Sequence, residues 1–390
     1  MSLPIVTADG APLHFDCLQC GECCRAWTVP VPVAHVKEHL QVDWIRERSR
    51  EMKEAGVGPL LPSKRGAEVC TLNTGVGERL DCVFLGPGGL CDIHARIGVE
   101  AKPAPCRQFP FHFTRTEHGV EAFLDPACKA VSAGAGPEVP TAELESVAAY
   151  GTIEELGELE WRAGKPMTAT EYDGLRSRVR DILRSDARIQ DRAWRVWNVA
   201  RTGEEPTGSW SEAGKDPLGR RLVLTMLLLV FRNAWEQKRR GQASLRRSLR
   251  LLGLAFGLLL GGGRVPIEAR GITVNAGDVD DLPWDPDAPE IRPVLDRWMA
   301  GFADRHELAP MAARGAGILL ANLFLISWFS RAVAGAAGRP PTADDVVDGI
   351  QLTEKFSGSR MLAPQIGRGA LGVGLRSILE GPNLPRQLLR

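Results

Sequence analysis

Four of the nine cysteines of this chain lie within eight residues near its N-terminus, at Cys17, Cys20, Cys23 and Cys24. A tight loop can turn two thiols separated by two residues toward one metal ion or cluster, and this spacing occurs twice here. Neighbouring side chains diverge in extended or turn backbone, so we expect Cys23 and Cys24 to serve different metals, or a metal and a substrate. The alternatives are disulfides or small buried hydrophobic side chains.

The cysteines are confined to the first 128 residues of the 390-residue chain. The N-terminal residues lack the basic start and apolar core of a secretory signal, which favours the reducing cytoplasm, where thiols stay free. We therefore expect a metal-binding region rather than a disulfide-linked one. The other five cysteines stand singly, at Cys70, Cys82, Cys91, Cys106 and Cys128.

Composition argues against two kinds of partner. With 48 basic and 48 acidic side chains the net charge is zero, so no overall field attracts nucleic acid or an anionic membrane. The longest apolar runs, 222–231 and 254–260, are shorter than the roughly 18 to 20 residues that span a bilayer. We expect both runs to form buried core helices, and we expect neither a membrane span nor a nucleic-acid partner.

The elements that position the cysteines are expected to be short. Apolar residues at helical spacing predict one amphipathic helix over 33–55, packed over the first cysteine loop. The segment 59–89 is rich in Gly and Pro, with residues 82–85 as a short strand candidate. Such a region has little core of its own, so it needs bound metal to offset its conformational entropy.

The remainder of the chain is predicted to be helical. Capping-box spacing occurs at Thr152 with Glu155 and at Thr168 with Glu171. Apolar residues repeat at helical spacing from Tyr172 to Leu183 and in four later segments, 218–235, 245–260, 294–308 and 318–329. The expected fold is therefore mainly α, with an irregular, loop-rich cysteine region followed by a helical domain.

These patterns divide the chain into three parts. We predict a cysteine-cluster metal-binding domain at 1–132, an α-helical domain at 133–356 and an Arg- and Gly-containing C-terminal tail at 357–390. A Gly, Ala and Pro linker at 133–140 marks the first boundary. The tail is either solvated or an arm that wraps a partner.

The short cysteine motifs together form a set. C-x-x-C-x-x-C-C is followed by C-x-F-L at 82–85, C-x-I-H at 91–94 and K-P-x-x-C-R-x-F-P-F at 102–111. In order and residue type the set resembles the cysteine-cluster proteins described as zinc- or iron-chelating domains. Their best known members are flagellin lysine-N-methylases. The resemblance covers roughly residues 17–128.

Eight of the nine cysteines fall at family-like positions, and the resemblance implies that they are metal ligands, leaving Cys70 spare. Eight thiolates satisfy two four-cysteine sites, or one cluster and a second metal. Zinc typically takes paired knuckles, whereas an iron–sulfur cluster accepts close cysteines plus a distant one, so we favour a 4Fe-4S cluster over zinc. The implied ligands are Cys17, Cys20, Cys23, Cys24, Cys82, Cys91, Cys106 and Cys128.

The resemblance also implies an activity, which is transfer of a methyl group from S-adenosylmethionine to a lysine that a protein substrate presents. A cluster held by only three cysteines leaves one iron open to the amino and carboxylate groups of this donor. Arg107 can hold the donor carboxylate or balance the charge of the cluster, and we favour charge balance. His94 is a candidate metal ligand or a hydrogen-bond partner of cluster sulfur.

Two other functions fit the sequence. One is a non-catalytic metal-chelating protein, and the other is a redox sensor that uses Cys24 or Cys70. The helical domain favours an enzyme, because chelation alone requires no such domain. In each case we expect Trp27, Phe109 and Phe111 to form a hydrophobic shell that excludes water from the metal.

Overall fold

The computed structural model describes residues 4–25, 27, 29–40, 42–54, 60–61, 68–72, 81–210, 216–240, 245–356 and 369–389. The first part of the predicted tail, 357–368, therefore lies outside the described residues. The fold contains mainly helices, which confirms the predicted fold class.

The N-terminal third is built from short elements. They are β1 (Ile5–Thr7), β2 (Val29–Pro32), α1 (Val33–His39), α2 (Asp43–Glu54), β3 (Leu60–Leu61), β4 (Val69–Leu72), α3 (Asp92–Arg96), α4 (Ala104–Gln108), β5 (Phe111–Thr116), β6 (Gly119–Leu124) and α5 (Lys129–Ala133), with short 3₁₀ turns at Ala8–Gly10, Glu22–Cys24 and Val99–Ala101.

Two local predictions in this third are wrong. The single helix predicted over 33–55 is two helices, because α1 ends at His39 and α2 begins at Asp43, an acidic residue that suits a first helical turn. The strand predicted at 82–85 is a turn, closed by a hydrogen bond from the Leu85 amide to the Cys82 carbonyl at 2.9 Å.

The remaining elements are mostly longer helices. They are α6 (Thr141–Tyr150), β7 (Ile153–Glu155), β8 (Glu160–Arg162), β9 (Lys165–Pro166), α7 (Ala169–Arg184), α8 (Ile189–Thr202), α9 (Pro217–Arg240), α10 (Leu245–Leu259), β10 (Arg264–Ile267), β11 (Ile272–Asn275), α11 (Ala276–Asp281), α12 (Arg292–Asp304), α13 (Ala312–Ala336), α14 (Ala343–Phe356), α15 (Gly369–Leu379) and α16 (Leu384–Leu388), with a 3₁₀ turn at Glu268–Arg270.

The predicted capping boxes have opposite outcomes. At α7 the Thr168 hydroxyl accepts the Glu171 amide while the Glu171 carboxylate accepts the Thr168 amide, so that prediction is confirmed. The buried face of α7 from Tyr172 to Leu183 is confirmed as well. The box predicted at Thr152 is wrong, because residues 153–155 form β7 and pair in parallel with β5.

Two sheets hold the cysteine region. A three-stranded sheet in the order β2-β4-β3 covers a small core in which Val31, Phe84 and Ile93 are fully buried. The side chains of Cys82, Cys91 and Cys106 are among those that pack against this core. A second sheet has the order β1-β6-β5-β7. Since β7 comes from beyond residue 133, this sheet crosses the predicted domain boundary, which stays a prediction.

The large hydrophobic core surrounds α13, which packs most extensively on α14. In length and apolar composition α13 would suffice to cross a membrane, but 94% of its most apolar window is buried inside the protein. Such burial is typical of a helix in the core of a protein. Other parts of the same core include Leu227 and Leu228 of α9, as predicted for that run.

The prediction that 254–260 is buried is confirmed only in part. Leu258 belongs to the large core, whereas Phe256 and Leu260 are 68% and 70% exposed. The described part of the predicted tail is not solvated either. It forms α15 and α16, whose leucines recur at helical spacing, and leucines such as Leu379 and Leu388 join the large core.

Candidate metal centre

The first cysteine loop (residues 17–24) is a compact turn. Gln19 has a φ of 52° and Gly21 a φ of 68°, both in the left-handed region. Gly21 starts the 3₁₀ turn that carries Cys23 and Cys24, and the Cys24 amide donates to the Gly21 carbonyl at 2.9 Å. The Sγ atoms of Cys23 and Cys24 end 4.0 Å apart, so these thiols are direct neighbours.

Backbone contacts bring the second cysteine segment to this loop. The Cys82 amide donates to the Cys24 carbonyl at 2.7 Å, and Cys91 pairs with Leu85 in an isolated bridge. Gly89 makes this approach possible, because it has a φ of 77° and a Cβ there would lie 2.5 Å from the Gln19 carbonyl oxygen. Only glycine fits at that contact.

The last two cysteines of the set lie at short helices. Cys106 is inside α4, and its amide donates to the Pro103 carbonyl at 2.8 Å. Cys128 is the N-terminal capping residue of α5. Burial raises the pKa of the Cys128 thiol to about 12, although the amides of Val131 and Ala130 act in the opposite direction. In the absence of a cation this thiol is therefore protonated.

The Cys23 and Cys24 thiols share one hydrogen bond, and it separates their acidities. Accepting this bond lowers the pKa of Cys23 to about 6, and donating it raises the pKa of Cys24. The ammonium groups of Lys102 and Lys355 also lower the pKa of Cys23. Cys23 is therefore the thiolate of the Cys23–Cys24 pair. At Cys106, burial raises the pKa of the thiol to about 12.

Electrostatic interactions show which thiols are neighbours. Cys24 and Cys106 each interact with Cys82 and Cys91, whereas Cys128 interacts with Cys20 and Cys23. Cys23 interacts with Cys24 and Cys106 as well as with Cys128, so it is a neighbour of both groups. Cys24 shares only the first group with it.

One cavity of about 390 Å³ faces these thiols. Cys23, Cys24, Cys82, Cys91 and Cys106 line its thiol end. Aromatic side chains form much of the remaining wall. These are Trp27, Phe84, Phe109, Phe111 and Phe123. The ring centroids of Trp27 and Phe109 lie 5.7 Å apart, which is an ordinary tilted aromatic contact.

The same cavity also has charged side chains in its wall, which we call the polar end: His112, Asp125, Arg305, Glu307 and Glu354. His112 Nε2 lies 3.0 Å from the Asp125 carboxylate. The Trp298 indole N–H donates to Glu354 at 2.6 Å, and an Arg305 guanidinium nitrogen lies 3.6 Å from the same carboxylate. Burial raises the pKa of Glu354 to about 7.

Comparison with protein families gives a match for the cysteine-containing region. Residues 16–129 match the family model CxxCxxCC, described as a putative zinc- or iron-chelating domain. These residues form a CxxCxxCC domain. The match spans all nine cysteines, and it says nothing of the flagellin lysine-N-methylases. Comparison of the chain with the curated proteins and with the solved structures gave no match.

The donor chemistry of the CxxCxxCC domain fits the metals in its description. All nine cysteines are free thiols, and thiolate sulfur is a preferred ligand of zinc and of iron–sulfur clusters. Among the described residues, no three His, Cys, Asp or Glu side chains already stand close enough together to hold one metal ion. The fold therefore gathers the thiols around one region without closing a complete ligand set.

The other predicted site residues have separate environments. Arg107 pairs with Glu100 and stacks over the Tyr150 ring at 4.1 Å, and it is absent from the cavity lining. His94 is exposed on α3 of the CxxCxxCC domain. Cys70 donates its S–H to the Val31 carbonyl at 3.3 Å and does not line the cavity. The assignment of ligands and of Arg107 to a cofactor stays a prediction.

Sequence reasoning missed several residues of the site. Lys102 begins the motif K-P-x-x-C, so its position four residues before Cys106 was a usable signal. Glu22 had the same signal, because it lies between Cys20 and Cys23. Glu354 and Lys355 had none, since they are more than 200 residues away from the CxxCxxCC domain and reach it only through the fold.

Proposed function

We propose that the chain is a metal-dependent enzyme whose catalytic site is the cavity between the thiols and the polar end. The observation that carries this proposal is a single cavity of about 390 Å³ lined by five thiols and by Arg305, Glu307 and Glu354. Such a volume is in the range of small-molecule sites. Metal chelation by itself needs no cavity of this kind.

For the metal we propose a 4Fe-4S cluster, with zinc as the alternative. The electrostatic neighbours of the thiols support two ligand sets that meet at Cys23. We assign Cys24, Cys82, Cys91 and Cys106 to one set and Cys20, Cys23 and Cys128 to the other. Cys17 is added to the second set by its spacing from Cys20 alone. Thiols protonated by burial must lose their protons when they bind a metal, so binding releases protons. The aromatic wall keeps water from such a centre.

For the reaction we propose methyl transfer from S-adenosylmethionine to a lysine amine of a protein substrate in the cytoplasm. A cluster held by only three thiols of one set would have an open iron, which would supply a ligand position for the amino and carboxylate groups of the donor. Glu307 and Glu354 suit an ammonium substrate by charge. The ammonium must first lose one proton, because only the neutral amine has the lone pair that forms the nitrogen–carbon bond. Glu354, with a pKa of about 7, can accept this proton. As the new bond forms, the donor's carbon–sulfur bond breaks and S-adenosylhomocysteine leaves.

The metal is tested by anaerobic purification followed by iron, acid-labile sulfide and zinc analysis. We expect brown protein with iron and sulfide in equal amounts. Colourless protein with stoichiometric zinc contradicts the cluster. In that case the non-catalytic chelating protein becomes the better description of the function.

The donor is tested by isothermal titration of S-adenosylmethionine into metal-loaded and metal-free protein. We expect binding to depend on the metal, because the proposed position for the donor's amino and carboxylate groups is an open iron of the cluster. Equal affinity in both forms, or none in either, contradicts a metal-bound donor.

The role of Glu354 is tested by Glu354→Gln, which should lower the rate of methyl transfer and leave binding of the donor unchanged. Asp345→Asn is the matched control, because Asp345 is also buried on α14 but pairs with Arg339 away from the cavity. Equal loss of rate in both variants would assign the effect to general destabilisation.

A further inference from the structure

The carboxylate of Glu22 links the first cysteine loop to distant parts of the chain. Glu22 lies between Cys20 and Cys23, and its side chain is only 12% exposed. Arg270 Nη1 lies 3.2 Å from Glu22 Oε2, and Lys355 Nζ lies 3.7 Å from the same oxygen. Arg25 contacts the other oxygen of this carboxylate, Oε1. Glu22 is therefore surrounded by three cations.

Lys355 also holds the backbone of the loop. Its ammonium group donates to the Glu22 carbonyl oxygen at 2.6 Å, and the side chain is almost fully buried. A buried ammonium group is costly unless it has such partners. The position of this cation therefore depends on the loop, and the position of the loop depends on the cation.

Arg270 extends this link to α14. Its guanidinium donates to Asp348 at 3.0 Å and to Gln351 at 2.9 Å, while the opposite nitrogen reaches Glu22. The Gln351 amide in turn donates to the Ala127 carbonyl at 3.4 Å, one residue before Cys128. Helix α14 thus contacts both chain segments whose thiols form the Cys20, Cys23 and Cys128 group.

The charges of these two cations also suit bound metal. Four thiolates around a divalent ion or a cluster leave excess negative charge, and nearby buried cations stabilise it. In the CxxCxxCC domain this charge would lie next to the loop whose Glu22 carbonyl oxygen accepts the Lys355 ammonium at 2.6 Å.

We infer that Lys355 and Arg270 are positioning residues for the metal, so that the metal affinity of the CxxCxxCC domain is set partly by α14, outside the matched residues. This inference rests on the proposed metal binding at the thiols. The new element is that side chains of the helical region, outside residues 16–129, fix the position of the first cysteine loop. The expected effect of removing such a group is a 10- to 100-fold loss of metal affinity, the usual effect of losing a group that supports metal ligands.

The test compares metal affinity in the full chain, using zinc with a competing chelator, for wild type, Lys355→Met, Arg270→Gln and Glu22→Gln. The matched control is Arg331→Gln, because Arg331 is equally buried, donates to the Val279 carbonyl at 3.1 Å and lies outside the cysteine region. We expect weaker zinc binding in the first three variants and wild-type affinity in the control. In the double variant Glu22→Gln with Lys355→Met, we expect the loss of zinc affinity to be smaller than the sum of the two single losses. The reason is that both substitutions break the same contact.

The outcomes separate the inference from the proposed function. If wild type binds no zinc or iron at all, the proposed metal binding fails. If wild type binds metal and the three variants bind it equally well, or if Arg331→Gln loses as much affinity, the positioning role is wrong. Lys355→Arg keeps the cation and the donor, so partial rescue relative to Lys355→Met is expected even where the larger change impairs folding.

Discussion

A buried ion-pair network joins β6 to the helical region. Arg176 on α7 donates to the two Glu121 carboxylate oxygens at 2.7 and 3.2 Å. His306 Nε2 donates to Glu121 at 3.1 Å, because the carboxylate can only accept, and Nδ1 accepts the Tyr172 hydroxyl at 3.3 Å. Burial would raise the pKa of Glu121, but these donors outweigh it and lower it to about 2.

We predict that Glu121→Gln lowers the free energy of unfolding by roughly 3 kcal/mol at neutral pH. A carboxyl pKa lowered from 4.5 to about 2 corresponds to about 3 kcal/mol of stability. Losing one partner of a buried pair typically costs about 3 to 5 kcal/mol, which agrees. Because the pKa is lower in the folded state, this stability is fully present above the unfolded pKa of 4.5 and is lost as pH falls toward 2.

The assay is urea unfolding of wild type and variant, followed by tryptophan fluorescence at neutral pH and at several acidic pH values. The difference between the two proteins should shrink as pH falls below 4.5. Glu155→Gln is the control, because Glu155 forms an exposed pair with Arg115 in the same sheet and should contribute less than about 1 kcal/mol. A difference for Glu121→Gln that is independent of pH, or as small as that of the control, refutes the reasoning.

Three further predictions concern the thiols and the capping of α7. Cys70→Ser should leave the metal content unchanged while Cys20→Ser lowers it, and metal analysis giving equal losses would contradict the assignment of eight ligands. Gly89→Ala should lower the metal content, because the new Cβ would lie 2.5 Å from the Gln19 carbonyl oxygen. Circular dichroism should show unchanged helix content, and wild-type metal content would show that the loop adjusts. Thr168→Ala should lower the free energy of unfolding by about 1 kcal/mol in urea titration, and no change would mean that the capping box contributes nothing.

The local patterns that succeeded depend on few neighbours. The capping box at Thr168 was predictable because it needs only two side chains three residues apart. The apolar face of α7 was predictable because helical spacing alone decides which residues share a face. Thr152 has the same local signal, yet residues 153–155 extend the sheet beside β5, because strand pairing over 40 residues of separation outweighs it.

Burial of apolar runs was less predictable, because burial depends on partners elsewhere. The runs at 222–231 and 254–260 look alike in sequence. Several residues of the first run, such as Leu227 and Leu228, lie in the large core, whereas the second run contributes Leu258 and exposes Phe256. The tail was predicted to be solvated or an arm from its Arg and Gly content. Instead, leucines of α15 and α16 pack in the same core.

The sequence by itself determined which donor atoms the N-terminal region offers, because residue type and spacing are local properties. Thiols two residues apart, followed by short cysteine motifs in a set order, were enough to indicate the family whose model residues 16–129 match. Only the tertiary structure decided what surrounds the thiols. Lys355 contacts Glu22 across 333 residues, and Arg305 and Glu354 share a cavity with Cys24. Long-range packing brought these groups together, and no spacing in the chain records it.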